Sequence, residues 1–211
     1  MPENPIDETD DDATGPVTGS SPARRHHLIP LVVVLTVVVL GLDQLAKWRA
    51  LATLVPGKRV DVLGSLLGFE LVFNRGAALS IATGMTWVLT LIAAIVVVVV
   101  ARASRRLGSR LWAVAFGLLL GGALGNLVDR FFRPPGPARG HVVDFIAYSN
   151  WFVGNIADIA IVVAAVLVVL QTLRGVPLDG TRERPAEPTE PAEPTEPAEP
   201  AQPGESTVRE P

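Results

Sequence analysis

The sequence predicts an all-α membrane protein with four transmembrane helices, a small extracytoplasmic β-like loop domain and disordered termini. Three observations lead there. Of the 211 residues, 49% are hydrophobic and the mean hydropathy is +0.39, high for a chain whose two ends are polar. The apolar residues collect in four long segments. The charge is also divided: residues 1–23 and 174–211 together carry −11 and residues 24–173 carry +8, a split that the net charge of −3 conceals.

Residues 1–27 form an acidic tail. Positions 1–23 hold six acids, no base and no aromatic residue. That is too little apolar surface to offset the entropy of ordering, so the tail is expected to be disordered. The body, 28–174, contains the four apolar segments. Residues 28–42 carry no charge and the pattern continues to about Ala50. Residues 77–101 run 25 positions without a charge, residues 111–128 run 18, and residues 151–173 run 23 with Asp158 as the one exception. About 20 helical residues cross a hydrocarbon layer about 30 Å thick, so each segment can span it. The valine runs at 32–34 and 96–100 do not argue against helix. In lipid only helices and closed barrels satisfy their own backbone, and a barrel would alternate polar with apolar positions. Between the first two spans, Phe69, Leu71 and Phe73 alternate with Glu70, Val72 and Asn74, which points to a small sheet within loop 51–76. Residues 175–211 close the chain as a second tail. From Pro185 to Pro203 every third residue is proline, the period of an extended polyproline II spacer.

Arg24 and Arg25 precede the first span, Arg102, Arg105, Arg106 and Arg110 crowd the second loop, and Arg174, Arg182 and Arg184 follow the fourth span. Positive charge concentrates on the cytoplasmic side of membrane helices, so both termini and loop 102–110 are expected there. Loops 51–76 and 129–150 then face the other side. A cleavable export signal is the alternative for the first span, but its apolar run continues into Asp43 and Lys47 rather than a cleavage site. Trp48, Trp87, Trp112 and Trp151 fall near span ends, as an interfacial aromatic belt predicts. His26, His27 and His141 read as interfacial, with no partner at metal-ligand spacing. Gly121, Gly122 and Gly125 suit close helix packing.

Ionisable and amide residues inside apolar spans usually mark function, and here they come at helical spacing: Asp43 with Lys47, Asn126 with Asp129 and Arg130, Asn155 with Asp158. They also share a depth. The first span enters near residue 27 and the third near 110, which puts Asp43 and Asn126 at one height, roughly 24 Å up. The fourth span descends from about 151, leaving Asp158 roughly 10 Å below the outer surface. Asp144 lies in the outer loop within the apolar run HVVDFI. Asp43 with Lys47, and Asp129 with Arg130, fit buried ion pairs that hold a bundle together. Asn126 and Asn155 fit interhelical hydrogen bonding as well as a site. Asp144 and Asp158 differ, since neither has a cation at helical spacing. A carboxylate in apolar surroundings without a partner is costly. It raises its pKa or shares a proton with a second acid, which is what general acid–base chemistry requires.

The chain has no cysteine, which excludes disulfides, thiolate metal sites and a cysteine nucleophile. A magnesium-dependent head-group transferase or phosphatase would use Asp129, Asp144 and Asp158, but such sites favour aspartates on adjacent helical turns. A proton-coupled transporter would relay through Asp43 and Asp158, but the body shows no internal repeat of the kind such transporters carry.

Five blocks occur in order on this frame: Asp43-Gln44-Leu45-Ala46-Lys47, Asn74-Arg75-Gly76-Ala77-Ala78-Leu79-Ser80, Gly121-Gly122-Ala123-Leu124-Gly125-Asn126-Leu127-Val128-Asp129-Arg130, Val143-Asp144-Phe145, and Phe152-Val153-Gly154-Asn155-Ile156-Ala157-Asp158. In these blocks, and over roughly residues 28–173, the sequence resembles the lipoprotein signal peptidases (signal peptidase II). The resemblance implies an intramembrane aspartic endopeptidase that removes signal peptides from bacterial prolipoproteins, cutting before a cysteine that already carries diacylglycerol. It implies Asp144 and Asp158 as the catalytic pair, with Asp43, Lys47, Asn74, Asn126, Asp129, Arg130 and Asn155 as supporting and substrate-binding residues. It further implies neither metal nor cofactor, and a monomer in the bacterial plasma (inner) membrane. Its partners would be diacylglyceryl prolipoproteins and membrane lipids rather than nucleic acid. Leu79 stands where the family usually has Phe, a departure that touches local substrate packing rather than the chemistry.

Overall fold

The computed structural model describes residues 28–76 and 86–180. The expectations for Arg24, Arg25, His26, His27, Arg182, Arg184, the proline repeat and the stretch 77–85 with Leu79 lie outside the described residues. Four helices run through the rest: α1 (Ile29–Thr53), α2 (Thr86–Ala103), α3 (Arg110–Phe132) and α4 (Ile156–Leu173). Each is long and apolar enough to cross a membrane, α2 together with the 3₁₀ turn Ser104–Arg106 that follows it. Pro30 sits in the first turn of α1, where its missing N–H removes no helical hydrogen bond.

Helix α3 occupies the centre and packs against α1, α2 and α4. Its glycines set how closely the neighbours come. A Cβ on Gly122 would stand 2.5 Å from the carbonyl oxygen of Ala157 on α4, and one on Gly125 would stand 2.6 Å from the Asp43 carboxylate on α1. Most of α3 is therefore buried, whereas the other helices turn aliphatic faces outward: Val33, Val34, Val37 and Val38 on α1, Ile95, Val98 and Val99 on α2, and Val162, Val163, Val166 and Val169 on α4. An apolar surface this continuous is tolerated only where lipid covers it. At one end of the bundle Leu28, Val32, Leu107, Trp112, Phe116 and Leu120 form an apolar core.

Trp112 departs from the expected belt. It is buried in that core, edge-on to Phe116, and its indole N–H donates to the carbonyl of Val176 at 3.0 Å. Trp48, Trp87 and Trp151 are exposed. Nor does the chain leave the bundle at residue 174: residues 175–180 fold back onto it, with Val176 and Leu178 against the same core.

The opposite end carries a four-stranded antiparallel sheet in the order β1 (Val60–Leu63), β2 (Leu67–Asn74), β3 (Val142–Tyr148), β4 (Phe152–Gly154). The alternation in 69–74 marks β2 correctly, but half the sheet, β3 and β4, comes from residues whose sequence pattern reads as outer loop or as the start of the fourth span. β3 is buried on both faces along most of its length, so it reads as a continuous apolar run with no period of two. β4 takes the first residues of the segment 151–173, and α4 begins only at Ile156. In register, Val72 faces Asp144 and Asn74 faces Val142, which sets the end of β2 diagonally beside Asp144.

Replacing Gly122 with alanine is expected to lower thermal stability in detergent by about 1–3 kcal/mol, because backbone rather than a flexible side chain stands in the way. Gly41→Ala, on the lipid face of α1 with nothing within 4 Å of the added methyl, is expected to leave stability unchanged or raise it by up to about 1 kcal/mol. Melting curves of the two variants check both signs.

Candidate active site

The site lies where the sheet meets the ends of α1, α3 and α4, and it is built on a buried ion network. Lys47 on α1 is fully buried, and its ammonium lies 2.8 Å from Asp43 Oδ2 and 2.8 Å from Asp129 Oδ2. Helical spacing explains the first contact, four residues along α1; the second joins α1 to α3. The other lone pairs of the two carboxylates are taken up as well. Asp43 Oδ1 accepts the backbone N–H of Ala157 at 3.0 Å, and Asp129 Oδ2 accepts that of Val143 at 3.1 Å. Asp129 Oδ1 accepts from Arg133 Nε at 2.5 Å. One layer of charges therefore ties α1, α3, α4 and β3 together.

The pairing of Asp129 differs from the one expected. Its cations are Lys47 and Arg133, not Arg130. Arg133 stands at the same four-residue spacing as Lys47 from Asp43, so the signal was present in the sequence; adjacency to Arg130 masked it. Arg130 points instead into a cavity of about 450 Å³, with Asn74, Asn126, Asp144 and Asp158 also on its wall. It is only 8% exposed, and its Nη1 is the one buried side-chain polar atom without a hydrogen-bond partner among the described residues. A buried donor left empty costs about 1–3 kcal/mol, so a guanidinium facing a cavity in this state is poised for an acceptor that enters it.

Lys47 also reaches into the site. Its ammonium donates to Asn126 Oδ1 at 3.1 Å, and Asn155 Nδ2 donates to the same oxygen at 3.2 Å. With the oxygen of this amide held by a cation, the amide nitrogen must face the other way, and there it donates to Asp158 Oδ1 at 2.9 Å. Asn155 is fixed with equal economy. It is the N-cap of α4, and its side chain accepts from the backbone N–H of Asp158 at 3.0 Å. Asp158 Oδ2 closes the capping box by accepting from the Asn155 N–H at 3.1 Å. Asn155 and Asp158 are thus related by the cap rather than by a shared helix face. The same Nδ2 of Asn155 that donates to Asn126 also donates to Asp144 Oδ1, at 2.6 Å. From the other side Asn74 Nδ2 donates to Asp144 Oδ2 at 2.9 Å, its own oxygen being occupied by the N–H of Gly76.

Asp144 and Asp158 therefore face one cavity from a strand and a helix start, joined through Asn155 and Asn126. Their surroundings differ. Asp144 is 2% exposed and Asp158 is half-buried. Burial, followed by the charge on Asp158, pushes Asp144 up to about 7, outweighing the two amide hydrogen bonds that favour its ionised form. All nine polar residues that the sequence singled out fall within this layer. Asp43, Lys47 and Asp129 form its buried frame; Asn74, Asn126, Asn155 and Arg130 surround the two carboxyls. Sequence reasoning missed Phe152, which lines the cavity and stacks on Tyr148 with ring centres 4.7 Å apart; once β4 is known, it is one residue from the β3–β4 turn. Asp129, Asp144 and Asp158 do not gather into a metal cage, since Asp129 is spent on Lys47 and Arg133. Among the described residues no group of three His, Cys, Asp or Glu side chains comes within metal-holding reach.

Residues 35–174, well over half of the chain, match the protein family described as Signal peptidase (SPase) II. The chain belongs to the signal peptidase II family. It is thus a peptidase, an aspartic-type hydrolase of peptide bonds. Among its relatives, the lipoprotein signal peptidase of Rhodococcus jostii is 49% identical over 177 residues, which cover 84% of this chain and 88% of the relative. That of Mycobacterium tuberculosis is 46% identical over 192 residues, covering 89% and 95%. A solved bacterial membrane enzyme superposes with a TM-score of 0.64 at 25% identity, covering 75% of this chain and 96% of its own; a second gives 0.61 at 27% identity, covering 69% and 94%.

Lys47→Met is expected to destabilise the protein by about 3–5 kcal/mol, because it leaves two carboxylates buried without their cation. A chemical-denaturation midpoint in detergent checks this. The Asp144 carboxyl is expected to keep its proton up to a pH of about 7. Since its folded pKa lies above the ordinary carboxylate value, the stability it contributes is complete at low pH and is lost as pH rises toward 7. Infrared titration of the protonated carboxyl band follows it, and Asp158→Asn, by removing the like charge, is expected to shift that titration to lower pH.

Proposed function

We propose that Asp144 and Asp158 are the catalytic pair with which this signal peptidase removes the signal peptides of prolipoproteins, cutting before a cysteine that carries diacylglycerol. The observation that carries this reading is the convergence of two carboxyls, one of them pushed up to about 7, in a single cavity. Two acids in one low-dielectric space cannot both ionise cheaply, so they hold one proton between them, and it resides on Asp144. The other member, Asp158, takes a proton from water as the water oxygen attacks the scissile carbonyl carbon. Asp144 gives its proton to the carbonyl oxygen, forming a tetrahedral diol. On collapse the C–N bond breaks, the departing nitrogen takes the proton that Asp158 gained from water, and one hydroxyl of the diol returns its proton to Asp144 as the new carboxyl terminus forms and leaves, so the dyad again holds one proton. Asn126 and Asn155 hold the two acids at fixed orientation. Arg130 Nη1, unpartnered at the cavity wall, donates to a backbone carbonyl of the bound peptide.

The lining of the cavity supports the substrate class. Beside the dyad and its polar partners it includes Leu89, Ala93, Val96, Leu119, Ala123 and Ile161, side chains suited to an apolar signal segment and acyl chains. One chain supplies both acids and every polar partner, so the working unit is a monomer in a surround of membrane lipid. The arginines of loop 102–110 at the far end of the bundle support an orientation with both termini cytoplasmic, the dyad then standing near the outer face of the bacterial plasma membrane.

Purified protein in detergent is expected to convert a diacylglyceryl-modified prolipoprotein to its shorter product, seen as a gel shift, with EDTA present as without it. Asp144→Asn and Asp158→Asn, each shown folded by its melting curve, are expected to lose at least about a hundredfold in rate. Cleavage that vanishes with chelator, or a variant that still cuts near the wild-type rate, would overturn the assignment.

A further inference from the structure

At the end of the bundle away from the dyad, α2 finishes in the turn Ser104–Arg106 and the chain reverses into α3. The carboxy-terminal segment 174–180 returns across this reversal and is pinned there by backbone. Leu178 O accepts the Gly108 N–H at 2.9 Å, and Val176 O accepts the Trp112 indole at 3.0 Å. A Cβ on Gly108 would stand 1.7 Å from Asp179 O, so only glycine lets the segment lie this close. Between turn and segment lies a cavity of about 420 Å³ lined by Arg102, Ala103, Arg105, Arg106 and Leu178. Three guanidinium groups within five positions repel one another, and among the described residues no salt bridge reaches any of them.

Topology alone asks for positive charge at this end of a membrane helix pair. It does not ask for a concave site, nor for a returning segment that lines one side of it through Leu178. The outer face of α2 adds a second pattern. Val98 and Val99 stand three and four residues after Ile95, and Arg102 stands four and three residues after them, so a stripe of half-exposed aliphatic side chains leads directly to the first guanidinium. An apolar stripe ending in a basic cavity at the membrane interface matches a molecule with acyl chains and a phosphate head.

We propose that this cavity binds an anionic phospholipid, its phosphate held by Arg102, Arg105 and Arg106 and its acyl chains lying along Ile95, Val98 and Val99. The planar guanidinium fork pairs with two phosphate oxygens at once, and basic pockets between membrane helices are suited to such head groups. Lipid bound here joins the α2–α3 turn to the carboxy-terminal segment, far from the reacting carboxyls.

Native mass spectrometry of the full-length protein released from detergent tests this, with phosphatidylglycerol and phosphatidylcholine of identical acyl chains as probes. Phosphatidylglycerol is expected to be retained in preference to phosphatidylcholine. Each of Arg102→Gln, Arg105→Gln and Arg106→Gln is expected to reduce that retention by about fivefold, and Arg49→Gln at the other end of the bundle to leave it unchanged. Arg105→Lys with Arg106→Lys keeps the charge that insertion needs and is expected to retain less lipid than wild type, because the fork is lost. Cleavage in uncharged detergent is expected to stay at the wild-type rate in all of them, which certifies their folding. Equal retention of the two lipids, retention that survives the glutamine substitutions, or full retention by the lysine variant would overturn the proposal in favour of diffuse surface charge. Equal binding of free glycerol 3-phosphate would overturn it in favour of a soluble phosphate ester. Retention that appears only after the glutamates of the PAEPTE repeat are changed to glutamine would overturn it in favour of the acidic tail as occupant.

Discussion

Lys47 holds its ammonium group where water does not reach, between Asp43 of α1 and Asp129 of α3, and the geometry of both catalytic candidates descends from how that charge is satisfied. Burying one cation with two carboxylates is costly unless every lone pair finds a donor. Here the donors are the backbone N–H groups of Ala157 and Val143, and each lies next to a residue of the pair: Ala157 precedes Asp158, and Val143 precedes Asp144. Satisfying the ion network thus fixes the main chain beside both acids. The third arm of Lys47, to Asn126, turns that amide so that its nitrogen meets Asp158. Supporting residues that never touch the cavity still determine how its carboxyls are aimed.

The two acids are made unequal by the elements that carry them. Asp144 sits on a strand enclosed on both faces and carries the raised pKa, whereas Asp158 stands in the first turn of α4, inside a capping box and half-open to the cavity. A strand and a helix start meeting edge to end supply one dry carboxyl and one accessible carboxyl without any further device. The lipid-facing surface does not enter this arrangement, which explains how α1, α2 and α4 can present almost featureless valine faces while a crowded polar layer persists inside.

Legibility from sequence followed the range of each interaction. The four spans, the small sheet after the first span and the helical pairs could be read because their signals repeat within a few residues, as in Asp43 with Lys47 or the alternation of 69–74. Asp43, Asn126 and Asp158 could be placed in one layer because the rise of a helix is constant. Reading failed where the decisive neighbour was remote or the pattern was erased by burial. β3 shows no alternation because both of its faces are covered, the sequence sets Arg130 next to Asp129 although Arg133 and Lys47 hold that carboxylate, and Trp112 stands at a span end like an interfacial residue although a returning carboxy-terminal segment buries it.

By itself the sequence determined a four-span membrane frame, the polar residues set within it and, through five ordered blocks, the family, because helix period, span length and motif order are local properties of the chain. Only the tertiary structure decided which polar group faces which. The partners of Lys47 on α3, the turn of the Asn126 amide, the strand beneath Asp144 and the orphaned guanidinium of Arg130 depend on three helices and a sheet arriving at one depth with their side chains already oriented. Those pairings join residues as remote as Lys47 and Asp129 or Asn74 and Asp144, and no local regularity encodes them; they are set by the cost of leaving a buried charge or donor unsatisfied.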